Sequence, residues 1–288
     1  MERKTFVFTM KYDPGVPVEV RKLRPDAIAG LGIEDIKKLK TLIGGYETTL
    51  SELFEVEGPS TAPSNPDEIE IVIRGAGTYR IRFLGYRMKG GRIVVEGDIG
   101  PYAGYKMMGG EIIIKGSAAS WLGAKMKNGV IEVYGDAGDF VGAKLMGEKP
   151  GKGMKNGTIV IHGNAGSNVG AGMKGGTIVI DGSAGNLLGV HMVGGSILVK
   201  GSVGRFAGAR MRGGKIVVAG RIDGVLPSFY VDDVVASAKV KGIKIEKKFM
   251  VFVGDVLVNG CGRLFVSYED NRDILAPFEE LLRYEVEL

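Results

Sequence analysis

Gly85-Tyr86-Arg87-Met88-Lys89-Gly90-Gly91-Arg92-Ile93-Val94-Val95-Glu96-Gly97 is answered nineteen residues later by Gly104-Tyr105-Lys106-Met107-Met108-Gly109-Gly110-Glu111-Ile112-Ile113-Ile114-Lys115-Gly116. The phrase then returns as far as Gly220. Its methionines, Met88, Met107, Met126, Met154, Met173, Met192 and Met211, step by 19, 19, 28, 19, 19 and 19. Gly pairs follow in register, with Asn128-Gly129 and Asn156-Gly157 in two of the places. Asn tolerates left-handed backbone angles better than other non-glycine residues, so these positions read as left-handed corners. The single step of 28 is one period plus nine, which places a surface insertion at residues 145–153.

A short fixed period of glycine and β-branched residues is the mark of a solenoid in which each repeat is one coil. The expected fold is all-β: a right-handed parallel β-helix of about eight 19-residue coils, with small α+β segments at both ends. Alternation turns Ile93 and Val95, Ile112 and Ile114, and their counterparts up to Ile216 and Val218 toward the inside. The methionines make a third inner row. A methionine stripe could also be a soft-metal path, but regular spacing in a repeat favours core filler. An antiparallel meander is the rival architecture, since Asn128-Gly129 would suit a two-residue hairpin. A meander has no need of the same residue type at every nineteenth position.

Glycine, at 48 of 288 residues, is concentrated in the repeat corners. One cysteine, Cys261, rules out an intramolecular disulfide framework and fits a reducing compartment. Apolar runs are too short for a signal-peptide core, so the expectation is a cytoplasmic chain without a membrane segment. Residues 85–220 hold 17 Lys/Arg against 8 Asp/Glu, a net +9, so the flanks carry −4 of the overall +5.

The expected divisions are a lead-in at 1–68, the coil at 69–224 and a capping segment at 225–288. Thr5-Phe6-Val7-Phe8-Thr9-Met10 reads as a strand, residues 33–40 as a short helix, residues 50–57 as a strand and residues 59–66 as a linker. Glu70-Ile71-Val72-Ile73-Arg74 reads as an atypical first coil. Beyond the repeats, residues 248–258 and 263–268 read as strands and 277–283 as a terminal helix.

Catalytic signatures are lacking. His162 and His191 lie in different coils, no Cys/His spacing suits zinc or iron–sulfur ligation, and no phosphate loop is present. Asp98, Asp136 and Asp181 read as corner or outward residues. No catalytic, cofactor-binding or metal residue is therefore assigned. Two outward rows are more informative. Val94, Ile113, Val160, Val179, Leu198 and Val217 make an apolar strip, interrupted only by Glu132. β-propensity could account for it, but a strip of this length favours a covered face. Beside the methionines run Arg87, Lys89, Lys106, Lys125, Lys127, Lys155, Lys174, Arg210 and Arg212, extended at the insertion by Lys144, Lys149 and Lys152. Such a row suits either solvent or an acidic partner. For nucleic acid it lacks interleaved aromatics; Tyr102, Trp121, Phe140 and Phe206 share a column that Asn168 and Leu187 interrupt.

The repeat Gly-x-x-Met-x-Gly-Gly-x-Ile-x-Val-x-Gly-x-Ala-Gly resembles the β-helical C-terminal domain of the glutamate synthase large subunit. It resembles more closely the C subunit of molybdenum or tungsten formylmethanofuran dehydrogenase. The flanks carry that distinction: Pro17-Val18-Glu19, Leu23-Arg24-Pro25-Asp26, Gly32-Ile33-Glu34-Asp35-Ile36, Leu53-Phe54-Glu55-Val56-Glu57-Gly58, Leu226-Pro227-Ser228-Phe229 and Phe252-Val253-Gly254-Asp255. The resemblance covers about residues 15–265. It implies a non-catalytic scaffold in an archaeal oxidoreductase complex of methanogenesis and one-carbon metabolism, which fixes CO2 as formylmethanofuran. The molybdenum or tungsten pterin and the iron–sulfur clusters are implied in partner subunits, a metal-pterin catalytic subunit and an amidohydrolase-like subunit, and no cofactor in this chain. The alternative is a free-standing glutamate synthase spacer.

Overall fold

The computed structural model describes residues 3–284. Most of its strands belong to one mixed, thirteen-stranded sheet. Seven of them are the repeat strands Arg92–Val95, Glu111–Ile114, Val130–Val133, Thr158–Ile161, Thr177–Ile180, Ser196–Val199 and Lys215–Val218. Each pairs in parallel with the next, with Ile93 beside Ile112, Ile112 beside Ile131 and Ile131 beside Ile159. The antiparallel meander is thereby excluded. The last of these pairs is 28 residues apart, so the insertion leaves the register intact.

Successive units also bond at two further places. Ile99, Ala118, Ala137, Ala165, Ala184, Val203 and Ile222 form a column of parallel bridges. From Met107 onward the residue after each repeat methionine donates its N–H to the methionine carbonyl of the preceding unit, as from Lys127 to Met107 (2.7 Å) and from Lys174 to Met154 (2.8 Å). Inside this frame all seven repeat methionines are fully buried, with the inward Ile and Val side chains and a further row that includes Leu84, Leu122, Val141, Val169 and Leu188. The methionines are core.

The Gly pairs work differently from the sequence expectation. The left-handed residue is the second of each pair, with φ of 105° at Gly129 and 96° at Gly157, whereas Asn128 and Asn156 are not left-handed. Elsewhere the first residue is glycine because the chain passes close: a Cβ on Gly109 would lie 2.2 Å from the Lys89 carbonyl oxygen. Corner carboxylates are accounted for by hydrogen bonding between units. Asp98 Oδ1 accepts from the Ser117 N–H at 2.7 Å, and Asp136 Oδ1 from the Asn164 N–H at 2.7 Å.

The lead-in extends the same sheet. Strand Lys4–Met10 pairs in parallel with Ile69–Arg74, which pairs with Arg92–Val95, Ile71 beside Ile93. Residues 50–57 are not one strand. Leu50–Leu53 is a helical turn because Leu50 and Leu53, three apart, both reach the core; only Phe54–Glu57 is extended. Likewise the helix at Ile33–Lys37 ends early, and Lys40–Ile43 becomes a strand.

At the other end, Gly262–Ser267 pairs in parallel with Lys215–Val218, and Phe249–Gly254 and Tyr230–Val235 follow antiparallel. Asn271 closes this end. Its side-chain amide donates to the carbonyls of Gly220 (3.0 Å) and Ser267 (2.8 Å), and its carbonyl accepts from the Ile222 N–H (2.9 Å). The terminal helix spans Arg272–Tyr284, so Pro277 lies within it rather than at its start. Residues 1–2 and 285–288 of the expected end segments lie outside the described residues.

Candidate functional site

Four of the cations beside the methionines, Arg87, Lys106, Lys125 and Arg210, occupy an unusual left-handed backbone position, and the first three line one groove. Arg87, Lys106 and Lys125 have φ of 55°, 57° and 57°, and each sends its N–H to the next unit, to Tyr105, Ala124 and Ala143 respectively. A left-handed non-glycine residue costs on the order of 1 kcal/mol, here offset by inter-unit hydrogen bonding. The geometry turns their side chains outward beside Lys127, Lys152 and Lys155. These six cations bound a groove of about 480 Å³.

Four of the expected lysines, Lys125, Lys127, Lys152 and Lys155, are thus brought together. Lys144 and Lys149 are not part of the groove lining. Lys144 packs over Gly172 and adds its charge to those of Arg210 and Arg212 near His191. Burial, followed by these three charges, lowers the His191 pKa. Lys149 stands exposed on the insertion.

Glu148 is the residue that sequence reasoning missed. One carboxylate oxygen accepts from the Lys125 ammonium and the other from the Leu145 N–H at 2.9 Å. Burial works against its charged form, but those bonds and the charges of Lys125 and Lys106 outweigh burial and lower its pKa. It is the one carboxylate in residues 145–153, which was the available signal.

The apolar strip divides in two. Val179, Leu198 and Val217 lie under the C-terminal segment, packed with Ala238, Val240, Phe249, Val251 and Phe265. The cover includes the hairpin of Ala238–Val240 and Ile243–Ile245, tied down by Lys215 Nζ donating to the Lys239 carbonyl (3.0 Å) and by Lys241 donating to the Thr158 hydroxyl. Val94 and Val160 remain half-exposed, and Ile113 is 7% exposed. Glu132, the exception in the strip, lies 2.9 Å from His162 Nε2.

The aromatic column is more continuous than its sequence suggested. Phe83, Tyr102, Trp121 and Phe140 stack at centroid separations of 4.8, 5.8 and 4.2 Å, and the Arg21 guanidinium covers Phe83 at 3.8 Å. The ring faces are therefore largely occupied by one another. Phe83, Tyr102, Trp121 and Phe140 thus present their edges rather than a row of free faces.

Among the described residues no group of three or more His, Cys, Asp or Glu is placed to hold a metal ion, and no helix is long and apolar enough to cross a membrane. The class these features define is a mostly β chain whose distinctive groups are extended rows, rather than a convergent set of reactive side chains.

Comparison with known proteins adds the particular likeness. No family model matches. The C subunit of tungsten-containing formylmethanofuran dehydrogenase 2 from Methanothermobacter wolfeii is 37% identical over 97 residues, 33% of this chain and 34% of that protein. The C subunit of molybdenum-containing formylmethanofuran dehydrogenase 1 from Methanothermobacter thermautotrophicus is 38% identical over 95 residues, 33% of this chain and 22% of that protein. The matched stretch thus spans about a third of the first relative's length and less of the second. A chain in the crystal structure of the formyltransferase/hydrolase complex (FhcABCD) from Methylorubrum extorquens in complex with methylofuran has a TM-score of 0.73 and 28% identity. That likeness covers 91% of this chain and 99% of the other. The chain is similar to the C subunit of formylmethanofuran dehydrogenase, as its motifs indicate.

Proposed function

We propose that this chain is a non-catalytic scaffold subunit of a formylmethanofuran dehydrogenase or related formyl-transfer complex, working in the cytoplasm. Residues 69–224 are its rigid body, a right-handed parallel β-helix, with 1–68 as lead-in and 225–288 as cap. The observation that carries the reading is the likeness along 99% of one chain of a multisubunit formyltransferase/hydrolase complex. A rigid stack with rows of exposed groups suits the holding of other subunits, because its backbone hydrogen bonds run between units and leave the side-chain rows in fixed register.

The partners are a metal-pterin catalytic subunit and an amidohydrolase-like subunit, which carry the cofactors. Two surfaces meet them: the uncovered part of the strip at Val94 and Val160, and the basic groove with the insertion. Charge there steers association in a salt-dependent way.

A tagged copy purified from its native host should bring down both partners in fixed stoichiometry with formyl-transfer activity, while the chain alone has none. Elution of the chain by itself, activity in the isolated chain, or one tightly held tungsten, molybdenum, zinc or iron per chain would refute the proposal.

A further inference from the structure

We infer that the groove between Arg87, Lys106, Lys125, Lys127, Lys152 and Lys155 binds an extended acidic peptide segment, and that Glu148 occupies one of its carboxylate positions until the segment arrives. This rests on the reading of that face as a docking surface and names what docks there.

The first ground is charge. Six cations surround one cavity, and among the described residues only Lys125 has an ion-pair partner, Glu148. Like charges on adjacent units stand within one Debye length of each other, so salt does not remove their repulsion. An anionic ligand does.

The second ground is the kind of anion already present. Glu148 comes from the insertion, and its carboxylate sits against Lys125 with the Lys106 charge nearby. This intramolecular contact shows a carboxylate fitting the edge of the groove. Phosphate sites typically add a nest of free backbone N–H groups. Here the N–H groups of Arg87, Lys106, Lys125, Lys127 and Lys155 are all engaged by carbonyls of adjacent units. What remains is a set of flexible ammonium groups and one guanidinium, suited to carboxylates presented one after another along a chain.

The test uses the full chain and a fluorescent six-residue Asp-Glu repeat peptide, followed by anisotropy at low salt. Combined Lys125→Glu, Lys127→Glu and Lys155→Glu should weaken binding by about tenfold or more. Glu148→Gln should tighten it by about threefold or more, because the internal competitor is gone, and Glu148→Ala should do the same. Glu111→Gln, which removes one negative charge on the strip face, should leave affinity unchanged.

Equal affinities for the Glu148 and Glu111 variants would overturn the inference, as would binding indifferent to the triple charge reversal. Displacement of the peptide by inorganic tripolyphosphate at far lower concentration than by a tricarboxylate would overturn the assignment to carboxylates. The docking reading is separable: peptide binding as expected, with unchanged co-purification of partners by the triple variant, would leave this site standing and remove docking through it.

Discussion

His162 Nδ1 lies 2.8 Å from Asp181 Oδ2, nineteen residues on and one unit further along the stack, while its Nε2 reaches Glu132 Oε1 in the preceding unit at 2.9 Å. Asp181 in turn meets Lys200 at 2.7 Å. A single imidazole thus links three units on the outer face. It also explains why the apolar strip is interrupted at Glu132.

This linkage makes stability depend on pH. The hydrogen bond to Glu132, then that to Asp181, raises the His162 pKa above 6.5 despite burial. The stabilisation is complete below the unfolded value and disappears as pH rises through the higher folded value. Asp181 runs the other way. Burial raises its pKa, but Lys200 and His162 more than compensate, so it falls below 3.8 and its contribution is lost only as pH drops through the lowered value. His162→Gln should therefore lower Tm more at about pH 5.5 than at about pH 8.5. A deficit equal at both would show that the imidazole charge contributes nothing.

The two halves of the apolar strip should respond differently to the same change. Val217 is fully buried beneath the C-terminal strands, so Val217→Asp should cost about 3 kcal/mol or more in urea unfolding of the isolated chain. Val94 is half-exposed, so Val94→Asp should cost less than about 1 kcal/mol there while loosening the assembled complex. Unchanged subunit stoichiometry in native mass spectrometry of that variant would mean the open half is not an interface.

Gly129 and Asn128, although adjacent, should differ sharply. Gly129 has φ of 105°, and a Cβ there would lie 2.8 Å from the Gly110 carbonyl oxygen. Gly129→Ala should destabilise by about 1–3 kcal/mol, and Asn128→Gly by under about 1 kcal/mol. Thermal unfolding of the two variants checks the order.

Met173, fully buried in the middle of the row, measures how tightly the core is filled. Met173→Ala should cost about 2–5 kcal/mol, and Met173→Leu less than about 1.5 kcal/mol. If both were neutral in denaturant unfolding, the row would be loosely packed.

The period, the inward Ile, Val and Met rows and the harmless insertion could be read directly from the chain. A nineteen-residue repeat must bury the same positions in every unit, so local pattern and tertiary packing coincide. Lys125, Lys127 and Lys155, which flank repeat methionines, could be nominated for the same reason, and Lys152 by its charge on the insertion beside them. Where the repeat lapses, legibility falls. Leu50 and Leu53 suit strand alternation less well than a helical turn into the core, but only the neighbouring core decides that. Nothing in the tail announces that Asn271 supplies the hydrogen bonds which close the last unit.

The sequence by itself thus determined the repeating frame and which side chains face inward, because periodicity dictates both. Tertiary structure alone decided what lies on that frame: that a C-terminal hairpin covers Val179, Leu198 and Val217 but leaves Val94 half-exposed, that Glu148 folds back onto Lys125, and that Lys144 turns away from the groove toward His191. These are contacts between residues far apart in the chain or on irregular segments. Their outcome depends on competing charge, burial and loop entropy, none of which leaves a periodic trace.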